Sequence, residues 1–372
     1  MRVLLVSQVE LDADSGSARH VLALASALAP RCDLTLIAPG EATTHGLRRV
    51  VPPFGFRPGA RLELALAAAV VREIRRARPE VAYLRLSASS SAVAAVFRAL
   101  AVPYFVELNG PVLDQLTLRG RPPWLVRIAE RSLSTVVRGA RAVVVASPAL
   151  ERHARSSLLA DRVHVIENGV DLETVRPGDR ALARAHFGVS PSLPWVGLVA
   201  TLTPELRLDL LSDAFRRLGT PSVGLLIVGS GQQRSFVDRW VAESSAARRV
   251  LALGARSHAE AVLAMQASDV CVNPHDSDLA LKGLEYAAVG RRQACFRVDG
   301  IERLLGLYSD PEAVVVARSA TSEALAEALD RVLGAQRERG DLEEAELFRA
   351  RRALGWETKA ERLLALFGRE RT

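Results

Sequence analysis

Lysine is almost absent from this chain. Of its 49 lysines and arginines only two are lysine, Lys282 and Lys359. A lysine inside a motif here is therefore unlike the arginines that fill the surface. Cysteine is scarce as well. Cys32, Cys271 and Cys295 have neither metal-ligand spacing nor a disulfide framework, and the last two sit in apolar runs that read as core. Long apolar runs are missing. Alanine-rich stretches are broken by Arg or Glu well before the ~20 residues that a membrane-spanning helix needs. The opening run Met1 to Val6 is too short for a signal-peptide core, so a cytoplasmic location is expected. The seven histidines are dispersed, with no H-E-x-x-H pair, and neither a G-x-S-x-G elbow nor a P-loop occurs. No G-x-G-x-x-G follows the first strand, which argues against a nicotinamide-dependent oxidoreductase.

What charge there is leans positive, with a formal net +7 and a pI near 10.0. The arginines are scattered along helical patterns. The densest clusters, Arg72 to Arg78 and Arg349 to Arg352, read as solvated helix faces rather than a nucleic-acid surface. Peripheral contact with an anionic membrane stays open on charge alone.

The length of 372 residues suggests two domains, each large enough for its own core. Short apolar runs alternate with longer amphipathic stretches. In the first half, strands are expected at Val3–Ser7, Asp33–Ala38, Val81–Arg85, Tyr104–Leu108, Ala142–Ala146 and Val163–Ile166. Helices are expected at Ser17–Ala29, Leu62–Arg78, Ser89–Leu100, Trp124–Arg138 and Pro148–Arg155. The pattern restarts after a polar interval, Asn168 to Pro194, that reads as a hinge. The second set of strands is Trp195–Ala200, Gly224–Val228, Val250–Leu253, Val270–Asn273, Arg292–Arg297 and Val314–Val316. Its helices are Leu208–Leu218, Ser235–Ser244, His258–Ala267, Ala280–Val289 and Ser322–Leu333. Apolar strands separated by helices imply an α/β protein with two doubly wound parallel sheets, whose ligands bind beyond the carboxyl ends of the strands. The expected domains are 1–175 and 176–353, with a last helix, 354–372, returning to the first.

The segment Asn273 to Gly290 carries the most chemistry. A strand ends, a polar loop follows, and a helix begins, with Asp278 as a plausible N-cap. Lys282 and Glu285 are three apart and share a helix face. A lysine at a helix start beyond a sheet suits a diphosphate, and a carboxylate one turn on suits two ribose hydroxyls. Spacing alone leaves an ordinary surface ion pair equally open.

The run Ala280-Leu281-Lys282-Gly283-Leu284-Glu285-Tyr286-Ala287-Ala288-Val289-Gly290-Arg291 resembles the donor-site signature of family 4 glycosyltransferases. Four other stretches resemble that family in the right order. They are Glu107-Leu108-Asn109-Gly110-Pro111, Asn168-Gly169-Val170-Asp171, Val228-Gly229-Ser230-Gly231 and Ala267-Ser268-Asp269-Val270, and the tail from Trp356 is similar too. The resemblance implies the GT-B fold, two Rossmann-like parallel-sheet domains facing a central cleft. It also implies a retaining, metal-independent transfer from a nucleotide diphosphosugar to a glycan, glycolipid or natural-product acceptor, with no cofactor. By that resemblance Lys282 holds the diphosphate and Glu285 the ribose, while Gly229 and Gly231 shape a turn near the donor. Gly16 stands where the family has a glycine-rich loop, or is a plain helix-start turn. Glu107 and Asn109 line the acceptor side, or form a strand-end turn; with Lys282 they are the candidate catalytic residues.

Departures matter as much. Ser277 replaces a glutamate of the family's donor loop. In Ala200-Thr201-Leu202-Thr203-Pro204-Glu205-Leu206-Arg207, Thr203 stands for a lysine, Leu206 for a histidine and Arg207 for a glycine. Arg207 either replaces the lost cation or fills the space the glycine left. His275 lies in the donor loop as a substrate contact or a plain loop histidine. Asp12-Ala13-Asp14 and Asp276-Ser277-Asp278 match the D-x-D metal motif of GT-A enzymes, but in the wrong architecture, so they read as loop acids. The losses keep a second reading alive: a degenerate relative that binds or regulates without turnover.

Overall fold

The computed structural model describes residues 1–12, 15–40, 48–52, 60–88, 90–110, 112–113, 122–220, 222–244, 249–276 and 281–370. The chain divides into two compact units. Unit 1 is Met1–Gly169 with Trp356–Thr372, and unit 2 is Val170–Gly355.

Unit 1 runs β1 (Arg2–Val6), α1 (Gly16–Leu28), β2 (Asp33–Ile37), β3 (Arg48–Val50), α2 (Ala60–Ala77), β4 (Val81–Arg85), α3 (Ser91–Ala99), β5 (Tyr104–Leu108), α4 (Pro123–Gly139), β6 (Val143–Val145), α5 (Pro148–Ser157) and β7 (Val163–Val165). The strands form one sheet in the order β3-β2-β1-β4-β5-β6-β7, and every pairing is parallel. The order reverses at β1, which pairs with β2 on one side and β4 on the other. That reversal opens a crevice beyond the carboxyl ends of β1 and β4, where doubly wound sheets bind ligands.

Unit 2 repeats the plan: α6 (Arg180–Phe187), β8 (Trp195–Val199), α7 (Leu208–Arg217), β9 (Gly224–Val228), α8 (Arg234–Glu243), β10 (Val250–Gly254), α9 (His258–Ala267), β11 (Val270–Asn273), α10 (Leu281–Val289), β12 (Arg292–Cys295), α11 (Ile301–Leu305), β13 (Val314–Val316), α12 (Ser322–Arg339) and α13 (Glu344–Leu354). Its parallel sheet has the order β10-β9-β8-β11-β12-β13, and the reversal falls between β8 and β11. The central strands β8 and β9 are buried throughout, because helices cover both faces; hence their unbroken apolar sequences, WVGLV and GLLIV.

The last helix, α14 (Trp356–Glu370), belongs to unit 1. It buries Trp356, Ala360, Leu363, Leu366 and Phe367 against the core of that unit, with the Phe367 ring tilted against Tyr83 and Phe105. Gly169 lies against its start. A Cβ at Gly169 would come within 2.6 Å of the Trp356 Cα, so the close approach needs glycine there.

Four elements are absent from the sequence-based expectation: β3, α6, the short α11 and α13. Strand β3 is a short edge strand of two arginines and a valine with no apolar run to announce it. Helix α6 lies inside the polar interval that reads as a hinge. Its signals are present: Asp179 caps its first turn, accepting from Ala181 and Leu182, and Gly188 closes it in the left-handed conformation.

Candidate functional site

Unit 2 gathers its polar groups at the sheet reversal. The loops after β8 and β11 are bonded to each other. Leu206 and His275 form an antiparallel bridge, and the Arg207 amide donates to the Pro274 carbonyl at 3.0 Å. The turn after β9 packs on the first of these loops. Leu202 donates to the Ser230 carbonyl at 3.1 Å, and the Gln233 amide to the Leu202 carbonyl at 3.0 Å. The Gln233 side chain donates to the carbonyls of Thr203 and Leu206. Gly229 and Gly231 have φ of +146° and +156°. A Cβ on Gly229 would collide with the Ala200 carbonyl, and one on Gly231 would stand 2.7 Å from the Leu202 carbonyl oxygen. Backbone cannot give way as a side chain can, so the turn requires glycine at both places.

Lys282 and Glu285 begin α10 and pair with each other at 2.5 Å. Lys282 is 28% exposed and Glu285 6%, so the cation is the more accessible partner. The helix is tied down behind them. The Tyr286 hydroxyl accepts from the Val199 amide at 2.9 Å and donates to its carbonyl at 3.1 Å, pinning α10 to the end of β8. Gln293 donates to the Gly283 carbonyl at 2.9 Å. Ser277 and the expected N-cap Asp278 lie outside the described residues.

Arg207 is not a bare cation. It donates to Asp209 from two nitrogens, at 3.0 and 2.7 Å, and reaches Asp276 at 3.5 Å. Bonds to Asp209 and then Asp276 raise its affinity for its proton further. Glu205, held low chiefly by hydrogen bonds to its own loop, interacts electrostatically with His275. Of the two basic side chains, Arg207 is thus engaged by Asp209 and Asp276, and Lys282 by Glu285.

Unit 1 holds a different cluster. Glu107, on β5, is only 2% exposed. It accepts from Lys359 Nζ at 2.8 Å and from His20 Nε2 at 3.1 Å, and Arg85 stands 3.5 Å away. Lys359 also donates to the Asn168 side-chain oxygen at 2.9 Å. Burial works to raise the Glu107 pKa, but Lys359, His20 and Arg85 outweigh it and hold the carboxyl well below the usual range. Burial pushes His20 down to about 4 against the pull of Glu107. At neutral pH the ring is therefore uncharged, and since an ionised carboxylate only accepts, its proton sits on Nε2. The His20 ring meets the edge of Trp356 at 4.8 Å, and Lys359 lies 5.5 Å from the same ring.

Two residues on, Asn109 is unlike its neighbour. Both polar atoms of its amide are buried without a hydrogen-bond partner among the described residues. Such orphans are rare in folded proteins and mark places that water or a ligand fills. Gly16 is the first residue of α1, whose cap is Ser15; a Cβ there would meet nothing within 4 Å. The structure therefore brings Arg207, His275, Gly229 and Gly231 together at the reversal in unit 2, with Lys282 paired to Glu285 on the helix that follows. It leaves Gly16, Glu107 and Asn109 in unit 1. His20, Arg85, Asn168, Lys359 and Gln233 do not stand out as site residues in the sequence. Of these, Lys359 carries a signal there as one of two lysines, and Asn168 as the first residue of the stretch Asn168-Gly169-Val170-Asp171. Among the described residues, no three His, Cys, Asp or Glu side chains gather as a metal site.

Comparison with known proteins adds a family. The model of Glycosyltransferase Family 4 matches residues 15–174, and that of glycosyl transferases group 1 matches residues 180–346. A D-inositol 3-phosphate glycosyltransferase of Mycobacterium sp. (strain KMS) is 34% identical over 146 residues, covering 38% of this chain and 33% of that protein. One from Mycobacteroides abscessus is 29% identical over 218 residues, covering 56% of this chain and 46% of that protein. The matches thus span about a third to a half of the length of these curated relatives. Among solved structures, sucrose-phosphate synthase from Thermosynechococcus elongatus superposes with a TM-score of 0.73 at 18% identity, covering 99% of this chain and 98% of that one. Anabaena HepE, solved with UDP and glucose, gives 0.69 at 17% identity over 99% of each chain. Likenesses at that identity show the fold.

Proposed function

Because the chain belongs to the family 4 glycosyltransferases and has their GT-B fold, we propose that it moves a sugar from a nucleotide diphosphosugar to an acceptor hydroxyl. The bond from the anomeric carbon to the diphosphate breaks, the acceptor oxygen takes its place with retention while its proton passes to the departing phosphate oxygen, and no metal ion takes part. The observation that carries this reading is the sheet reversal of unit 2, where two bonded loops and a glycine turn meet and where Tyr286 pins the helix of Lys282 and Glu285 to the end of β8. The diphosphate would draw Lys282 from Glu285, freeing that carboxylate to accept the two ribose hydroxyls. A cation aimed at a leaving diphosphate stabilises charge as it develops. In unit 1, Asn109 offers an unused donor and acceptor suited to an acceptor hydroxyl. Glu107 has the role of positioning, since its carboxylate is already engaged by Lys359, His20 and Arg85. The acceptor is a saccharide, a lipid-linked saccharide or a small polyol such as the inositol phosphate for which the curated relatives are named.

The acidic surroundings of Arg207 favour a second reading. A diphosphate entering beside Asp209, Asp276 and Glu205 meets more carboxylates than cations, which fits a relative that keeps the fold but has lost turnover. One experiment separates the two. Purified protein is incubated with a panel of UDP-, GDP-, ADP- and dTDP-sugars, and donor hydrolysis and transfer are followed with and without EDTA. The transferase reading expects release of one nucleoside diphosphate, unaffected by EDTA and abolished in Lys282→Ala. Binding without release across the panel favours the second reading.

A further inference from the structure

Helix α4 keeps one stripe out of the core of unit 1. Its buried side is Ala129, Leu133, Ser134, Val136 and Val137. On the outer side Trp124 and Ile128, four residues apart, are 61% and 55% exposed. Arg127 and Arg131, three and seven residues beyond Trp124, share that stripe and are exposed as well, and Arg138 ends it. Glu130 is the only acidic residue of the helix. The other three tryptophans, Trp195, Trp240 and Trp356, are buried. A large aromatic ring left in water beside basic side chains is the composition of a helix that lies in a membrane interface.

The stripe runs into a cavity of about 550 Å³ at the amino edge of the sheet, where β5 and β6 begin. Arg98, Arg138, Arg141 and Arg162 line it, against one acid, Asp161. None of the four arginines forms an ion pair with a described residue. Arg98 and Arg138 stand in the last turns of α3 and α4, where the carbonyl ends of a helix draw a cation. That accounts for two. Arg141 and Arg162 lie in the segments entering β6 and β7, outside any helix, and remain as surplus charge.

We propose that this face of unit 1 docks on an anionic lipid bilayer, with Trp124 and Ile128 at the headgroup level and the arginines of the stripe and cavity on lipid phosphates. Guanidinium groups fork onto phosphate oxygens, and their long stems lie along the apolar side chains. No described helix is long and apolar enough to cross a membrane, so the contact is peripheral. Two apolar side chains are a small anchor for a protein interface, and a nucleic-acid surface would have no use for Ile128.

The test uses vesicles of phosphatidylglycerol and phosphatidylcholine, with no sugar donor or acceptor, so it stands apart from the transfer reaction. Trp124, as the one exposed tryptophan, reports on itself. The protein should sediment with phosphatidylglycerol vesicles at low salt and not with pure phosphatidylcholine. Its emission should shift to the blue and be quenched by brominated lipid. Trp124→Ser should abolish both optical changes, and Arg141→Gln and Arg162→Gln should each weaken partitioning about fivefold, at roughly 1 kcal/mol per basic side chain. All three residues are on the surface or in loops, so circular dichroism should be unchanged. Absence of binding at low salt would overturn the proposal. So would binding that Trp124→Ser and both arginine variants leave intact, or equal binding to polyglutamate or DNA without the blue shift.

Discussion

At Arg207 the sequence offers a cation and the structure spends it. Its partners Asp209 and Asp276 are partly exposed, so each pair is weak and screened by salt. The double variant Asp209→Asn with Asp276→Asn should leave Arg207 available to phosphate and tighten nucleoside diphosphate binding about threefold at low salt, an advantage that fades as salt rises. Calorimetric titration at two ionic strengths checks this, and unchanged affinity at low salt would show that Arg207 does not face the ligand. In unit 1 the reverse holds, since Lys359 and Glu107 are both buried. Removing one partner of such a pair strands the other, at a cost of about 3 kcal/mol, whereas replacing both costs less. Lys359→Met should therefore lower the melting temperature sharply, and Lys359→Met with Glu107→Gln should recover part of it. A double variant no better than the single would mean that the pair is not coupled. None of this cluster could be read from spacing, because His20 comes from α1, Glu107 from β5 and Lys359 from α14. Lys359 is conspicuous in the sequence for its rarity, yet its partners are not.

Among the elements, the strands were the most legible. Val81–Arg85, Tyr104–Leu108, Gly224–Val228, Val270–Asn273 and Val314–Val316 fall where their apolar runs place them, because strands covered on both faces have no polar side to blur the pattern. Helix ends were read less well. The expected helix 322–333 continues to Arg339, since its last turns carry exposed arginines instead of an apolar face. Helices α3 and α5 stop at positions that no sequence rule marks. Beyond each, Ala101 and Leu159 take left-handed φ values of 54° and 55°, where glycine is usual. Ala101→Gly and Leu159→Gly should each stabilise the fold by up to ~1 kcal/mol, because glycine adopts that conformation without a Cβ penalty. Chemical unfolding measures this, and destabilisation by both would show that their side chains contribute more than the backbone costs. Helix α10 was legible because its motif residues have fixed places, with Tyr286 pinned to Val199 and Lys282 and Glu285 at the helix start. The acids around Arg207 were not, since Asp209 meets it from the first turn of α7 and Asp276 from the loop after β11.

For the molecule as a whole, the two-domain α/β plan and the family were both accessible from the chain, through alternation of patterns and motifs in fixed order. The buried charges of unit 1 make its stability depend on pH. His20 has a folded pKa of about 4, below the ordinary 6.5 that it regains on unfolding. Between these values the unfolded chain binds a proton that the native chain does not, so stability falls as pH drops from 6.5 toward 4, by roughly 3 kcal/mol. Glu107, also held low, continues the loss below pH 4.5. Urea unfolding at pH 7, 5.5 and 4.5 should show this decline, with a shallower slope in His20→Gln. An equal slope in the variant would place the sensitivity elsewhere.

The central claim is that Lys282 and Glu285 hold a nucleoside diphosphate. Its most direct test is calorimetric titration of UDP, GDP, ADP and dTDP into the full chain and into Lys282→Ala and Glu285→Ala. At least one diphosphate should bind, and each substitution should weaken it about tenfold or more, the equivalent of ~1.4 kcal/mol. Binding that both variants leave unchanged, or no binding of any diphosphate, would contradict the account.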